Sequence, residues 1–186
     1  LLSKLLKINS VTTEPAAEKE IAHYLVEYWK SMGMDEAHLQ EVPEKEMGGK
    51  DRYNVWGRIK GAGGGPSFMM GGHIDTEPPV DPDKWTHDPF SGYVDREGDR
   101  IYGLGAVNMK QGIAAETIAV QAIIKAGVKL KGDLYLAGWG LENIGCVGSR
   151  YMSLYGPIPD MALDGEMSYG YGRTIHSGAM LLTITT

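Results

Sequence analysis

Met109-Lys-Gln-Gly-Ile-Ala-Ala-Glu-Thr-Ile-Ala-Val-Gln-Ala-Ile-Ile-Lys-Ala126, followed by Asp133-Leu-Tyr-Leu-Ala137, decides the fold class. In the first run Ile113, Ala114, Ile118, Ala119, Ala122 and Ile123 recur at helical spacing, and the second is an apolar run of strand length. Ser67-Phe-Met-Met70 upstream reads as a strand, and downstream Cys146 to Leu154 reads as a helix and Asp160 to Leu163 as a strand. Strands alternating with helices predict an α/β layered fold with helices on both faces of a sheet.

Outward from that core, Ile21, Leu25, Tyr28, Trp29 and Met32 mark an amphipathic helix from about Pro15 to Met32, with Thr12 or Thr13 and Glu14 as capping residues. Asn54-Val-Trp-Gly-Arg-Ile59 and Ser67 to Met70 are expected to pair as a hairpin across the glycine-rich Gly61-Ala-Gly-Gly-Gly-Pro66. The acidic, proline-rich stretch from Glu77 to Pro89 has no periodicity and reads as a long loop, and Tyr93 to Tyr102 reads as a second hairpin. A last strand is expected from about Ala179 to Thr186.

Composition narrows the partners. The chain carries 24 acidic against 18 basic residues, with no basic run, which argues against nucleic acid and against a membrane surface. No apolar run is long enough to span a bilayer. The single cysteine, Cys146, cannot close an intramolecular disulfide and suits a reducing, cytoplasmic setting. The start, Leu-Leu-Ser-Lys, has neither an initiator Met nor a signal-peptide pattern, so further residues are expected ahead of it.

Four segments could carry chemistry. Gly71-Gly-His73-Ile-Asp75 ends a strand, so His73 and Asp75 share a face, and a carboxylate beside an imidazole fixes the ring for metal ligation. Tyr102-Gly-Leu-Gly-Ala-Val-Asn108-Met-Lys-Gln-Gly112 leads small residues into a helix with a polar side chain at the junction. It lacks the third glycine and the preceding βαβ strand of a dinucleotide site. Trp139-Gly-Leu-Glu142-Asn143 follows a buried strand, and Asp164-Gly-Glu166 ends another, which places acidic groups where α/β sheets bind ligands.

In this order and spacing the four segments resemble the family of acetylornithine deacetylase, succinyl-diaminopimelate desuccinylase, aminoacylase and glutamate carboxypeptidase, over nearly the whole chain. The resemblance implies a three-layer αβα sandwich with a mixed, mostly parallel sheet, of the zinc-exopeptidase kind. It also implies a metal-dependent hydrolase of amide bonds, of deacylase or exopeptidase type, acting through a metal-bound water. By position His73 corresponds to a metal ligand, Asp75 to its orienter, Glu142 to the general base, and Glu166 to a ligand of the same metal, with Asp164 in reserve. Zinc is the implied cofactor, with manganese or cobalt as alternatives; the implied partners are an amide-bearing small molecule or peptide and, in the full-length protein, a second copy in a homodimer. Relatives run to about twice this length. Residues 1–178 therefore correspond to the N-terminal part of the catalytic domain and 179–186 to the first strand of a lid domain otherwise absent from this chain, which is expected to be inactive alone.

Two ligand positions depart from the family. Asn108 stands where it has a bridging aspartate, and Asn143 where it has the second glutamate of a pair. Two dications about 3.5 Å apart repel by roughly 19 kcal/mol at an effective dielectric of about 20, and bridging anions normally offset this. One tight metal is therefore expected instead of two. A pseudoenzyme that keeps the fold for binding or assembly is the alternative.

The remaining candidates have plainer readings. His23, His38, His87 and His176 read as surface histidines, Cys146 as a small buried residue, the glycine run as a flexible turn, and Trp85 with Pro89 and Phe90 as a pin for the long loop.

Overall fold

The computed structural model describes residues 1–14, 16–43 and 51–167. Its centre is a five-stranded sheet built from β1 (Glu36–Val42), β2 (Arg52–Ile59), β3 (Phe68–His73), β6 (Leu134–Trp139) and β7 (Met161–Asp164), in the order β1-β2-β6-β3-β7. β3 runs parallel to both β6 and β7, β2 is antiparallel to β6, and β1 is antiparallel to β2. Only β2 opposes the other four strands, so the sheet is mixed and mostly parallel. The strands β4 (Tyr93–Asp95) and β5 (Arg100–Tyr102) form the expected separate hairpin.

Helices α1 (Leu2–Leu6), α2 (Ala17–Ser31) and α3 (Lys110–Lys125) lie on one face of the sheet and α4 (Val147–Tyr155) on the other. Val55, Leu134 and Leu136 pack with Ile21, Leu25, Trp29, Ile113 and Val120 on the first face. Met69, Ala137 and Met152 pack with Trp56, Tyr135 and Trp139 on the second. The alternation of side chains along β2 and β6 is what feeds both cores from one sheet.

Helix α2 buries Ile21, Leu25 and Trp29 as its spacing predicts, but no side chain caps it; Ala16 sits at its N-cap in the left-handed region at φ 55°. The α3 stripe is rotated from the expected one. Ile113 and Ala114 are buried, whereas Ile118 and Ala119 face solvent and Glu116, Thr117 and Val120 take the inner positions. Thr117 earns its place by contact, since its hydroxyl accepts from the indole N–H of the fully buried Trp29 at 3.1 Å. Trp29→Phe should therefore cost about 1–3 kcal/mol by leaving that hydroxyl unpaired, read as a lower urea midpoint at unchanged slope.

The hairpin expected between Asn54–Ile59 and Ser67–Met70 does not form, because β6 inserts between β2 and β3. The glycine run instead lies along residues 130–133: Ala62 N–H donates to Leu130 O, Gly63 N–H to Lys131 O, and Gly61 N–H to the Asp133 carboxylate. A Cβ on Gly61 would lie 2.4 Å from Lys131 O, so glycine is needed there for close approach more than for flexibility. Strand β1 and helix α1 carried no sequence signal strong enough to place them. The strand expected over 179–186, and His176, lie outside the described residues. Among the described residues no helix is long and apolar enough to cross a membrane.

Candidate active site

Strands β3, β6 and β7 end side by side, and the loops leaving them bring the candidate residues together. The turn after β3 is tied to the N-terminal segment by Thr12 N–H to Thr76 O at 2.8 Å and Thr76 N–H to Ser10 O at 2.9 Å. The turn after β6 is wedged between neighbours. Buried Asn54 accepts from Gly140 N–H and donates to Gly148 O, while a Cβ on Gly140 would meet Glu18 Cγ at 2.8 Å. Glu18 is held there by Arg52, whose guanidinium also donates to Thr12 O. Burial pushes the Glu18 carboxyl up despite the pull of Arg52, so this pair fixes the loops at an electrostatic cost.

The segment leading into α3 is anchored from below. Lys110, almost wholly buried, donates to Leu5 O at 3.1 Å and Ile8 O at 2.8 Å, which satisfies carbonyls at the end of α1. Burial pushes its ammonium down to about 7. Met109 is fully buried, its sulfur accepts from His73 N–H at 3.1 Å, and a Cβ on Gly72 would lie 1.8 Å from its methyl group. Glycine at 72 is therefore what lets Met109 reach the strand end.

His73 is the hub. Its Nδ1 donates to Asp75 backbone O at 2.8 Å and lies 3.5 Å from the Asp75 carboxylate, so the main chain and the side chain of Asp75 both face the ring. Around Nε2 stand Asn108 Oδ1 at 2.7 Å, Glu166 Oε1 at 3.2 Å and Glu142 Oε2 at 3.9 Å. Of the two acidic candidates on the fourth segment, Glu166 is the one that reaches His73. Asp164 sits at the end of β7, its Oδ1 3.6 Å from where a Gly72 Cβ would be.

Burial works against a charged His73, yet the Asp75 carboxylate, Asn108 and Glu142 outweigh it and raise the imidazole to about 9. Burial likewise works against the Asp75 carboxylate, but His73 and the N–H groups of Glu142 and Asn143 hold it below its ordinary range. Glu142 is raised, by burial first and then by Asp75 and Glu166 against the pull of His73.

Asn143 is not aimed at this cluster. Its side-chain Nδ2 donates to Asp75 Oδ2 at 3.0 Å. Among the described residues no three His, Cys, Asp or Glu side chains are grouped to hold a metal ion. The groups that do converge are one imidazole nitrogen, the Glu166 and, farther off, Glu142 carboxylates, and the Asn108 amide oxygen, a mixed nitrogen and oxygen set of the kind that binds divalent metals.

Cys146, expected to be buried, is exposed at the N-cap of α4 with φ 56°, its sulfur 3.9 Å from Glu142 Oε1. His23 and His38 are exposed, while His87 stacks on Tyr93 with ring centroids 4.1 Å apart and holds the long loop to the β4–β5 hairpin. Trp85 donates to Val80 O within that same loop. Glu116 is the residue that sequence reasoning passed over. It lies under Gly165, where a Cβ would meet its Oε1 at 2.7 Å, and its spacing of three from Ile113 and four from Val120 is the signal that could have found it.

Residues 69–183 match Peptidase family M20/M25/M40. The chain is 33% identical over 135 residues to a succinyl-diaminopimelate desuccinylase of Hydrogenovibrio crunogenus, covering 72% of this chain and 32% of that protein. It is 30% identical over 171 residues to one of Gluconobacter oxydans, covering 89% and 41%. The chain thus spans well under half the length of these curated relatives. Among solved structures, an M20 family metallo-carboxypeptidase from Sulfolobus solfataricus superposes with a TM-score of 0.74 at 23% identity, over 88% of this chain and 36% of that one. A tripeptidase from Staphylococcus aureus superposes with a TM-score of 0.63 at 21% identity, over 88% and 42%. At these identities the structures speak for the fold.

Proposed function

The chain belongs to peptidase family M20/M25/M40, and on that premise we propose that the protein hydrolyses amide bonds at one divalent metal held by His73 and Glu166, with Glu142 as general base. The observation that carries this reading is the convergence of Asn108, Glu142 and Glu166 oxygens on His73 Nε2. Because Nδ1–H donates to Asp75 O, Nε2 is the nitrogen that faces that cluster, and a metal bound there would replace the Nε2 proton that Asn108 Oδ1 accepts.

When bound, such an ion polarises the scissile carbonyl and draws the pKa of a coordinated water toward about 7. Glu142 takes a proton from the attacking water and passes it to the leaving nitrogen, so that one C–O bond forms as the C–N bond breaks. Burial and the neighbouring carboxylates raise its carboxyl, which makes it a stronger base than an exposed glutamate. Asn108 and Asn143 leave the second position of a two-metal site two charges short, which favours one tight ion. Zinc is the first choice, with manganese and cobalt next.

The relatives named succinyl-diaminopimelate desuccinylase support an N-acyl amino acid as the first substrate class to try, ahead of a small peptide. They lend no support to a fold kept for binding alone. A homodimer of the full-length protein and a cytoplasmic setting complete the reading, the former checked by light scattering.

Elemental analysis of the intact protein, purified without chelator, should find one divalent metal per chain. Hydrolysis of N-succinyl and N-acetyl amino acids should vanish on chelation and return on adding metal. Because His73 holds a proton up to about 9, metal affinity should fall about tenfold for each pH unit below that value. No metal at purification and none taken up on titration would defeat the proposal; two at full occupancy would defeat its single-ion form.

A further inference from the structure

We propose that Asn143 is a positioning residue that clamps Asp75, and through it His73, and that it is not a metal ligand; the metal arm of this inference rests on the function proposed above. Asp75 is wholly buried, and its charge is met on one side by His73, whose Nδ1 lies 3.5 Å from the carboxylate, and on the other by N–H donors from the loop after β6. Three such donors reach it. Glu142 N–H reaches Oδ1 at 3.2 Å, Asn143 N–H reaches Oδ2 at 3.2 Å, and Asn143 Nδ2 reaches Oδ2 at 3.0 Å.

The loop is shaped for this. Leu141 adopts the left-handed region at φ 61°, which turns the next two backbone N–H groups toward one anion, an arrangement that suits a carboxylate. A non-glycine residue in that conformation is strained, and the donors gathered on Asp75 hold it there.

The side chain at 143 must then be a donor. The amide cannot be reversed, because that would set its oxygen against Asp75 Oδ2 at the same 3.0 Å. An aspartate holding the conformation of Asn143 would place two acceptors, both charged, in contact at that 3.0 Å. The effect passes to His73 because Asp75 O accepts from Nδ1 at 2.8 Å: fixing residue 75 fixes the ring plane, and with it the direction in which Nε2 points.

Asn143→Asp separates the two roles by sign. If Asn143 is a clamp, zinc affinity measured by titration calorimetry on the intact protein should fall about tenfold to a hundredfold. If it is a ligand, the added charge should tighten zinc or admit a second equivalent, and either result overturns the proposal, as does unchanged affinity. Asn143→Ala covers the case in which the aspartate variant fails to fold. It should also weaken zinc binding while keeping its circular dichroism spectrum, and an Ala variant with wild-type affinity overturns the clamp. In metal-free protein the Nδ1 proton and nitrogen resonances of His73 should shift between wild type and Asn143→Ala. That readout stands even if the wild type takes no zinc, in which case the proposed function fails while the clamp is still decided.

Discussion

Glu142→Gln should lower amide turnover by about 10²–10⁴-fold and leave the metal content of the protein unchanged. Glutamine keeps the length and the acceptor oxygen of glutamate but cannot accept and return a proton near neutral pH. The metal should stay because Glu142 Oε2 stands 3.9 Å from His73 Nε2, outside the 2.7 Å of Asn108 and the 3.2 Å of Glu166. The loop should also stay, because the bond from residue 142 to Asp75 comes from its main-chain N–H, which the substitution keeps. Turnover with an N-acyl amino acid, taken together with elemental analysis on the same preparation, checks both halves. A variant that retains its metal and its rate would transfer the base role to another carboxylate, and Glu166 is the nearest to the imidazole.

Much of this arrangement was legible in the sequence because it rests on local patterns. Helix α2, the β4–β5 hairpin and the strand-helix-strand run through α3 follow from spacing alone. Three of the four segments lie at the strand ends expected for them, after β3, β6 and β7, since each joins an apolar run to a polar residue where a parallel sheet opens, and the other leads into α3 as its small residues imply. What could not be read is which strands pair. Alternation identifies β2 and β3 as strands, but only long-range contacts between the glycine run and residues 130–133 put β6 between them.

The site shows the same division. The sequence identifies Asn143 as an altered ligand position, yet it cannot say whether the amide faces the cluster at His73 or the carboxylate of Asp75. That direction is set by the backbone turn at Leu141, a leucine in a conformation leucine seldom adopts. Asp75 likewise is placed beside His73 by alternation along the strand, but that its main-chain carbonyl joins its carboxylate in facing Nδ1 is set by the turn after β3.

Glu116→Gln should make the protein about 3 kcal/mol more stable at pH 7. Glu116 lies on the inner face of α3, 7% exposed, and among the described residues neither of its oxygens has a hydrogen-bond partner. Burial, and then the charge of Asp164, push its carboxyl up to about 8, and the nearby Gly71 N–H pulls only weakly the other way. The folded chain therefore keeps a proton that the unfolded chain, with an ordinary carboxyl near 4.5, releases. Stability from this group is complete at pH values below 4.5 and drains by about 1.4 kcal/mol per pH unit as pH rises toward 8, beyond which the loss levels off near 5 kcal/mol. Glutamine fills the same space and has no proton to lose, so the two proteins should be nearly equal at pH 4.5 and diverge steadily above it. Urea unfolding at pH 5, 7 and 9 would show the difference widening. A constant difference across that range would mean that Glu116 is ionised in the fold, with its charge met by a group not among its neighbours here.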